Sequence, residues 1–232
     1  MSRLVIIAAL FLWIAQSAAA CALAGAQDRG LAPTSSIASG HVPIDGIAAR
    51  IESDIITESQ IEELAAYQRL VDGKSKPRSE VIRELIDQWI VRGEATAAQY
   101  PEPSSTDVDR AYAQLEKQFG SPDEFKSRCA NAGLAEFAVR RMLKEQIYLT
   151  RFLDFRFRPA AQVDFTRVEE YYQDDLVPRL KAKGEKVPPL ADVQSEVREV
   201  LIQQGIDALS KQWLNDTRSG LTIDMLTQGG GQ

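Results

Sequence analysis

Two short stretches, residues 47–56 and 221–226, are the strand candidates in this chain, and the sequence between them is punctuated like a series of helices. Residues 47–56 are rich in β-branched side chains but interrupted by Glu52, Ser53 and Asp54. They read as one strand, or as two very short strands around a turn at Ser53 and Asp54. Residues 221–226 alternate, with Leu221, Ile223 and Met225 on one face and Thr222, Asp224 and Leu226 on the other. A strand by itself leaves a row of backbone N–H and C=O groups unpaired and is not stable. The two stretches are therefore expected to pair, which brings both ends of the fold into one small sheet.

The helical signals between them are specific. Thr57 with Gln60 three residues later forms a capping box, and Ile61, Leu64, Ala65 and Leu70 give the helix behind it one apolar face. After Pro77 and Ser79, the residues Val81, Ile82, Leu85, Ile86, Trp89 and Ile90 recur in adjacent pairs every fourth position, all on one side. Tyr100-Pro101-Glu102-Pro103 stops that helix. Ser104 with Asp107 starts another, carrying Val108, Tyr112, Leu115 and Phe119. Ser121-Pro122-Asp123-Glu124 opens a short helix that holds Phe125 and Cys129 and ends near Gly133. Residues 134–157 contain no breaker and predict one long helix, with Val139, Leu143, Ile147 and Leu153 on one side and Phe137, Tyr148, Phe152 and Phe155 on another. Beyond Pro159, Asp164 caps a helix with Val163 and Val168 placed as a hydrophobic staple. Residues 178–189, Lys-rich and closed by Pro188-Pro189, predict a loop. A last helix over residues 192–217 turns Val193, Val197, Leu201 and Trp213 inward. The fold class is mainly α with a small sheet.

Residues 1–24 precede this pattern. Arg3, an apolar run over residues 4–15 and then Ser17, Ala18, Ala19 and Ala20 have the order of a secretory signal peptide; a membrane anchor is the alternative. Cys21, just after the apolar run, is a candidate lipid acceptor, although Ala18 stands where bacterial lipoproteins usually carry Leu. Residues 25–43 are Gly, Ala, Ser, Thr and Pro with few large apolar groups and read as a flexible tether. The folded part is expected over residues 44–227, with a disordered tail at 228–232. Cys129 is then the only cysteine inside it, which predicts no internal disulfide and a thiol packed as a small hydrophobe. The chain carries a formal net charge of −6, which argues against nucleic acid as a partner.

A search for chemistry returns no catalytic, cofactor or metal site. His41 is the single histidine and lies in the tether, so a histidine triad or zinc centre is not expected. Glu62-Glu63, Glu169-Glu170 and Asp174-Asp175 are neighbours along helices, point in different directions and read as a solvated face. Phe137, Tyr148, Phe152, Phe155 and Phe157 are interleaved with Arg140, Arg141, Arg151, Arg156 and Arg158. The aromatic rings suit either a core or a permissive surface for unfolded segments. The arginines suit either solubilisation or the carboxylates of a client.

The stretch from Ile44-Asp45-Gly46-Ile47-Ala48-Ala49-Arg50-Ile51 to Ile55-Ile56-Thr57-Glu58-Ser59 resembles the opening of SurA-type periplasmic chaperones and their PpiC-type relatives. Residues 80–90 are similar to the second helix of that module, residues 121–158 to its short-helix and long-helix pair, and residues 187–225 to its closing helix and strand. The resemblance implies a SurA N-domain-like chaperone fold that binds unfolded or partly folded exported proteins without ATP, in the periplasm of a bacterium. It also marks a departure. Relatives carry a parvulin prolyl isomerase domain where this chain has only residues 173–189, fewer than the ~40 a folded unit needs, so no enzymatic activity is expected. A prolyl isomerase, and an exported or lipid-anchored scaffold that meets membrane only through Cys21, are the alternative functions. Trp89, Tyr148, Phe152, Phe155 and Tyr172 are the candidate peptide-binding residues, with core packing the other reading for each.

Overall fold

Glu52, at φ +50°, turns the chain between two antiparallel strands, β1 (Ile47–Ile51) and β2 (Asp54–Thr57). A computed structural model describes residues 45–226 of the chain. The signal segment, Cys21, the tether with His41, and the tail at 228–232 lie outside the described residues. The third strand, β3 (Ile223–Met225), pairs antiparallel with β1, with Ala49 opposite Met225 and Ile51 opposite Ile223. The sheet order is β2-β1-β3. The pairing of the two ends of the fold is therefore present, with the first stretch split into two strands one residue earlier than Ser53 and Asp54.

Helices fill the sequence between. Thr57 caps α1 (Glu58–Asp72): the Thr57 N–H donates to Gln60 Oε1 at 2.9 Å, and its hydroxyl accepts from the Gln60 N–H at 3.4 Å. Gly73, at φ +73°, ends α1 in a left-handed conformation that costs glycine least. Next come α2 (Arg78–Ala97), α3 (Ser105–Glu116), α4 (Pro122–Asn131) and the long α5 (Glu136–Phe157). Ser104 with Asp107 and Ser121 with Glu124 cap α3 and α4 as their spacing predicts. Asp164 Oδ1 accepts from the Arg167 N–H at 2.8 Å to start α6 (Phe165–Tyr171), and Val163 packs beside Val168.

The expected loop at residues 178–189 is half helical. A π turn over Tyr172–Leu176, in which the Val177 N–H reaches the Tyr172 carbonyl, leads into α7 (Val177–Ala182). Pro178 is the physical reason. Within a continuing α-helix its missing N–H would orphan a carbonyl, whereas in the first turn of a new segment that N–H has no partner to lose. Only residues 183–189 then bridge to α8 (Leu190–Ser219).

The core has several centres. Ala48, Ala49, Ile51 and Ile56 of the sheet pack on Ile61, Leu64, Val81, Ile82, Ile86 and Ile90. Phe125 and Cys129 of α4 are enclosed with Leu115, Val139 and Leu143, and burial pushes the Cys129 thiol up. Further along, Val91 and Ala95 meet Tyr148, Leu149 and Phe152. The α8 helix covers α6 through Val168, Val197 and Leu201. Trp213 is half-buried, its ring 5.7 Å from Phe157 and under the Arg156 guanidinium at 4.8 Å.

Candidate functional site

A helix with one more apolar row than its core can use leaves that row on a surface, and α2 is such a helix. Val81, Ile82, Ile86 and Ile90 are buried, while Leu85 and Trp89, on the same side, are only partly covered. They face a groove of about 560 Å³ between β2, α1, α2 and α5. Ile55 of β2, Val71 of α1 and Met142, Leu149 and Leu153 of α5 complete its apolar lining. Ile55 is 49% exposed, so this end of the groove is open. The Trp89 indole is fixed at the edge, its Nε1 donating to Asp54 Oδ2 at 2.7 Å. A buried or half-buried indole N–H that finds a partner leaves its ring free to make apolar contact.

Ion pairs make the rim. Lys76 Nζ lies 2.6 Å from Glu84, Arg92 pairs with Glu145, and Arg141 with Glu63. Tyr67 donates its hydroxyl to Gln146 Oε1 at 3.3 Å, and burial beside Asp72 pushes its pKa up to about 12, so it remains a neutral donor. Nothing in this lining pairs a nucleophile with a base. Among the described residues no group of three or more His, Cys, Asp or Glu side chains is placed to hold a metal ion. The arrangement suits apolar contact inside a charged border, a chemistry of binding.

A second cleft, of about 980 Å³, runs between α1, the approach to α2 and the turn between α4 and α5. Its floor is built from small residues such as Ala65, Ala66 and Ala138, and its wall from the bidentate Arg78–Glu58 pair. Small floors and satisfied charges offer a ligand less than the groove does.

The structure distributes the candidate peptide-binding residues among different surroundings. Trp89 lines the groove. Tyr148 and Phe152 are buried against Tyr100, whose ring centroid lies 6.0 and 5.6 Å from theirs. Tyr172 is buried in the π turn and donates to the Pro188 carbonyl at 2.7 Å. Phe155 is 62% exposed, its ring tilted against that of Tyr100 with centroids 5.3 Å apart; Phe137, expected on the same side, is exposed elsewhere, at the second cleft. The five interleaved arginines all hold acids of the same chain: Arg140 with Glu136 and Asp109, Arg141 with Glu63, Arg151 with Asp107, Arg156 with Glu94, and Arg158 with Asp154 and Glu199. They tie helices together. Leu85, Met142, Leu149 and Leu153 were not singled out as site residues by the sequence; the doubled apolar row of α2 is the signal that marks Leu85.

The chain matches no protein-family model. Among curated proteins it is similar to Chaperone SurA of Ralstonia nicotianae (strain ATCC BAA-1114 / GMI1000), at 26% identity over 195 residues, covering 79% of this chain. It spans only 38% of the length of that protein. The similarity and the mainly helical fold closed by a three-stranded sheet agree with the resemblance read from the sequence: the chain is a distant homologue of Chaperone SurA, consistent with the N-domain-like region of that protein.

Proposed function

We propose that this chain is an ATP-independent chaperone that holds non-native exported polypeptides in the groove between β2, α1, α2 and α5, without prolyl isomerase catalysis. The observation that carries the reading is the groove itself: an apolar lining of Ile55, Leu85, Trp89 and Leu153 left exposed or only partly covered in an otherwise well-packed helical fold. The similarity to Chaperone SurA supports it. So does the residue arithmetic between α6 and α8, where residues 173–189 hold the rest of a π turn, α7 and a short bridge. Export through a signal peptide at residues 1–24, a periplasmic address and lipidation at Cys21 belong to the same proposal. No helix among the described residues is long and apolar enough to cross a membrane.

The energetics suit reversible holding. Moving one large apolar side chain from water into such a groove yields about 1.5–3 kcal/mol. Two or three such contacts supply about 3–9 kcal/mol before the entropy of ordering the segment is subtracted, which leaves weak binding, on the order of millimolar for a single short segment. Release then needs no nucleotide. Trp89 and Phe155 are the two candidate aromatics a client can reach, while Tyr148 and Phe152 back the helices from within.

Light scattering tests this directly. An outer-membrane β-barrel protein, unfolded in urea and diluted into buffer, should aggregate at least twofold more slowly with a stoichiometric amount of the chain. Leu153→Glu, which places a charge on the groove floor, should abolish that protection. Absence of protection across several such clients contradicts the proposal.

A further inference from the structure

The groove has a feature that an apolar surface alone lacks: one wall is the free edge of a sheet. In the β1–β3 ladder the Leu226 N–H donates to the Ala48 carbonyl at 2.9 Å and the Glu52 N–H to the Thr222 carbonyl at 3.0 Å. Residues 48, 50 and 52 therefore turn their backbone groups toward β3, and by alternation Ala49 and Ile51 turn theirs toward β2. Their partners are Ile56 and Asp54. Ile55, opposite Arg50, is left with its N–H and C=O directed away from β1. The sheet order β2-β1-β3 puts no strand on that side. Exposed edges are ordinarily shortened, charged or covered because they template pairing with another chain. Here the edge is short, but its outward residue is an exposed isoleucine that also lines the groove.

Charge narrows the occupant further. Lys76–Glu84, Arg92–Glu145 and Arg141–Glu63 neutralise one another around the groove. Asp72 lines it in no ion pair among the described residues, and Asp54 beside Trp89 meets only the neutral indole. The local balance is acidic, and a basic side chain complements it.

We propose that the groove takes an extended segment, alternating in apolar side chains and carrying a basic residue, which adds to the free edge of β2 by exchanging main-chain hydrogen bonds with Ile55. This rests on the proposed chaperone reading and specifies its client chemistry: main-chain bonds supply sequence-tolerant affinity, and the side chains of alternate residues enter the groove. A residue paired with Ile55 projects on the same face as Ile55. The apolar residues of the segment are therefore those whose own N–H groups meet β2.

That parity gives the test. A short synthetic peptide of alternating valine and threonine with a terminal lysine is bound to the full chain and followed by fluorescence anisotropy and by hydrogen exchange of the Ile55 amide. N-methylation at the valine nitrogens should weaken binding roughly tenfold or more, the worth of a lost main-chain bond. N-methylation at the threonine nitrogens should change it less than about threefold, and replacing the lysine by glutamate should weaken it severalfold. Exchange at Ile55 should slow when the unmodified peptide is bound. Equal affinity of the two methylated peptides, unchanged exchange at Ile55, or no binding of the unmodified peptide overturns strand addition. Suppression of client aggregation, measured alongside on the same protein, reports separately on whether the chain holds clients at all.

Discussion

Arg158 follows α5 and gathers carboxylates from two helices, bonding Asp154 Oδ1 at 2.7 Å and Glu199 Oε1 at 2.7 Å, with Gln203 Nε2 3.0 Å from the same Glu199 oxygen. The guanidinium holds both carboxyls below their usual range, through hydrogen bonds first and against a burial cost. A carboxyl whose folded pKa is depressed stabilises the fold above its unfolded pKa, and that contribution is lost as pH falls through the folded value. Acid should therefore loosen the α5–α8 contact below about pH 4, where ordinary carboxylates take up protons. Arg158→Gln should lower stability at pH 7 by about 1 kcal/mol, a figure already reduced for the solvent exposure of the pair. It should also flatten the decline between pH 5 and 3, as checked by thermal melts of wild type and variant across that range. The sequence showed this arginine among aromatics without indicating its role, because an ion pair between α5 and α8 is a tertiary fact with no local spacing. Cys129, by contrast, was legible: a lone cysteine inside a short amphipathic helix packs as a small hydrophobe, and it is buried.

Among the elements, α2 and α8 are joined by one pair set inside their contact, Arg218 Nε 2.7 Å from Asp87 Oδ1, with both side chains mostly covered. Burial raises the Asp87 carboxyl above its ordinary value in spite of Arg218 and Arg83. The ionised pair is thus bought at a desolvation cost, and removing one partner leaves the other uncompensated. Asp87→Ala should destabilise by about 1–2 kcal/mol, whereas Asp87→Leu combined with Arg218→Leu should stay close to wild type in chemical denaturation. Equal losses from the single and double variants would mean that the pair contributes attraction beyond its burial cost. Element boundaries were readable where side chains cap the backbone, at Thr57, Ser104, Ser121 and Asp164. They were less readable at Pro178, because a proline that ends one segment also begins another, and the π turn preceding it depends on packing rather than on composition. The apolar face of α5 was legible as a face but not as a division of labour. Tyr148 and Phe152 went inward while Phe137 and Phe155 stayed exposed, and what decides this is where Tyr100 and α4 arrive.

For the whole molecule, the decisive constraint was that two strand-like stretches far apart in sequence had to meet. Their pairing places β2 on an open edge, and α1, α2 and α5 raise the remaining walls of the groove beside it. The groove itself was not readable from the sequence, because it is the space left among four elements whose apolar faces each look complete. Trp89 was found as an aromatic on α2, with Leu85 in the same apolar row; their partners across the groove, Met142 and Leu153, became visible only when the helices were set side by side. That space is where a non-native chain is expected to be held. Site-specific photocrosslinking asks the question most directly, with a photoreactive side chain placed at Gln88 or Gln146 in the groove and at Gln204 or Lys211 on the exposed side of α8. With an unfolded outer-membrane protein added, strong adducts at the two groove positions and weak ones on α8 are predicted; adducts of equal strength at all four, or on α8 alone, would contradict it.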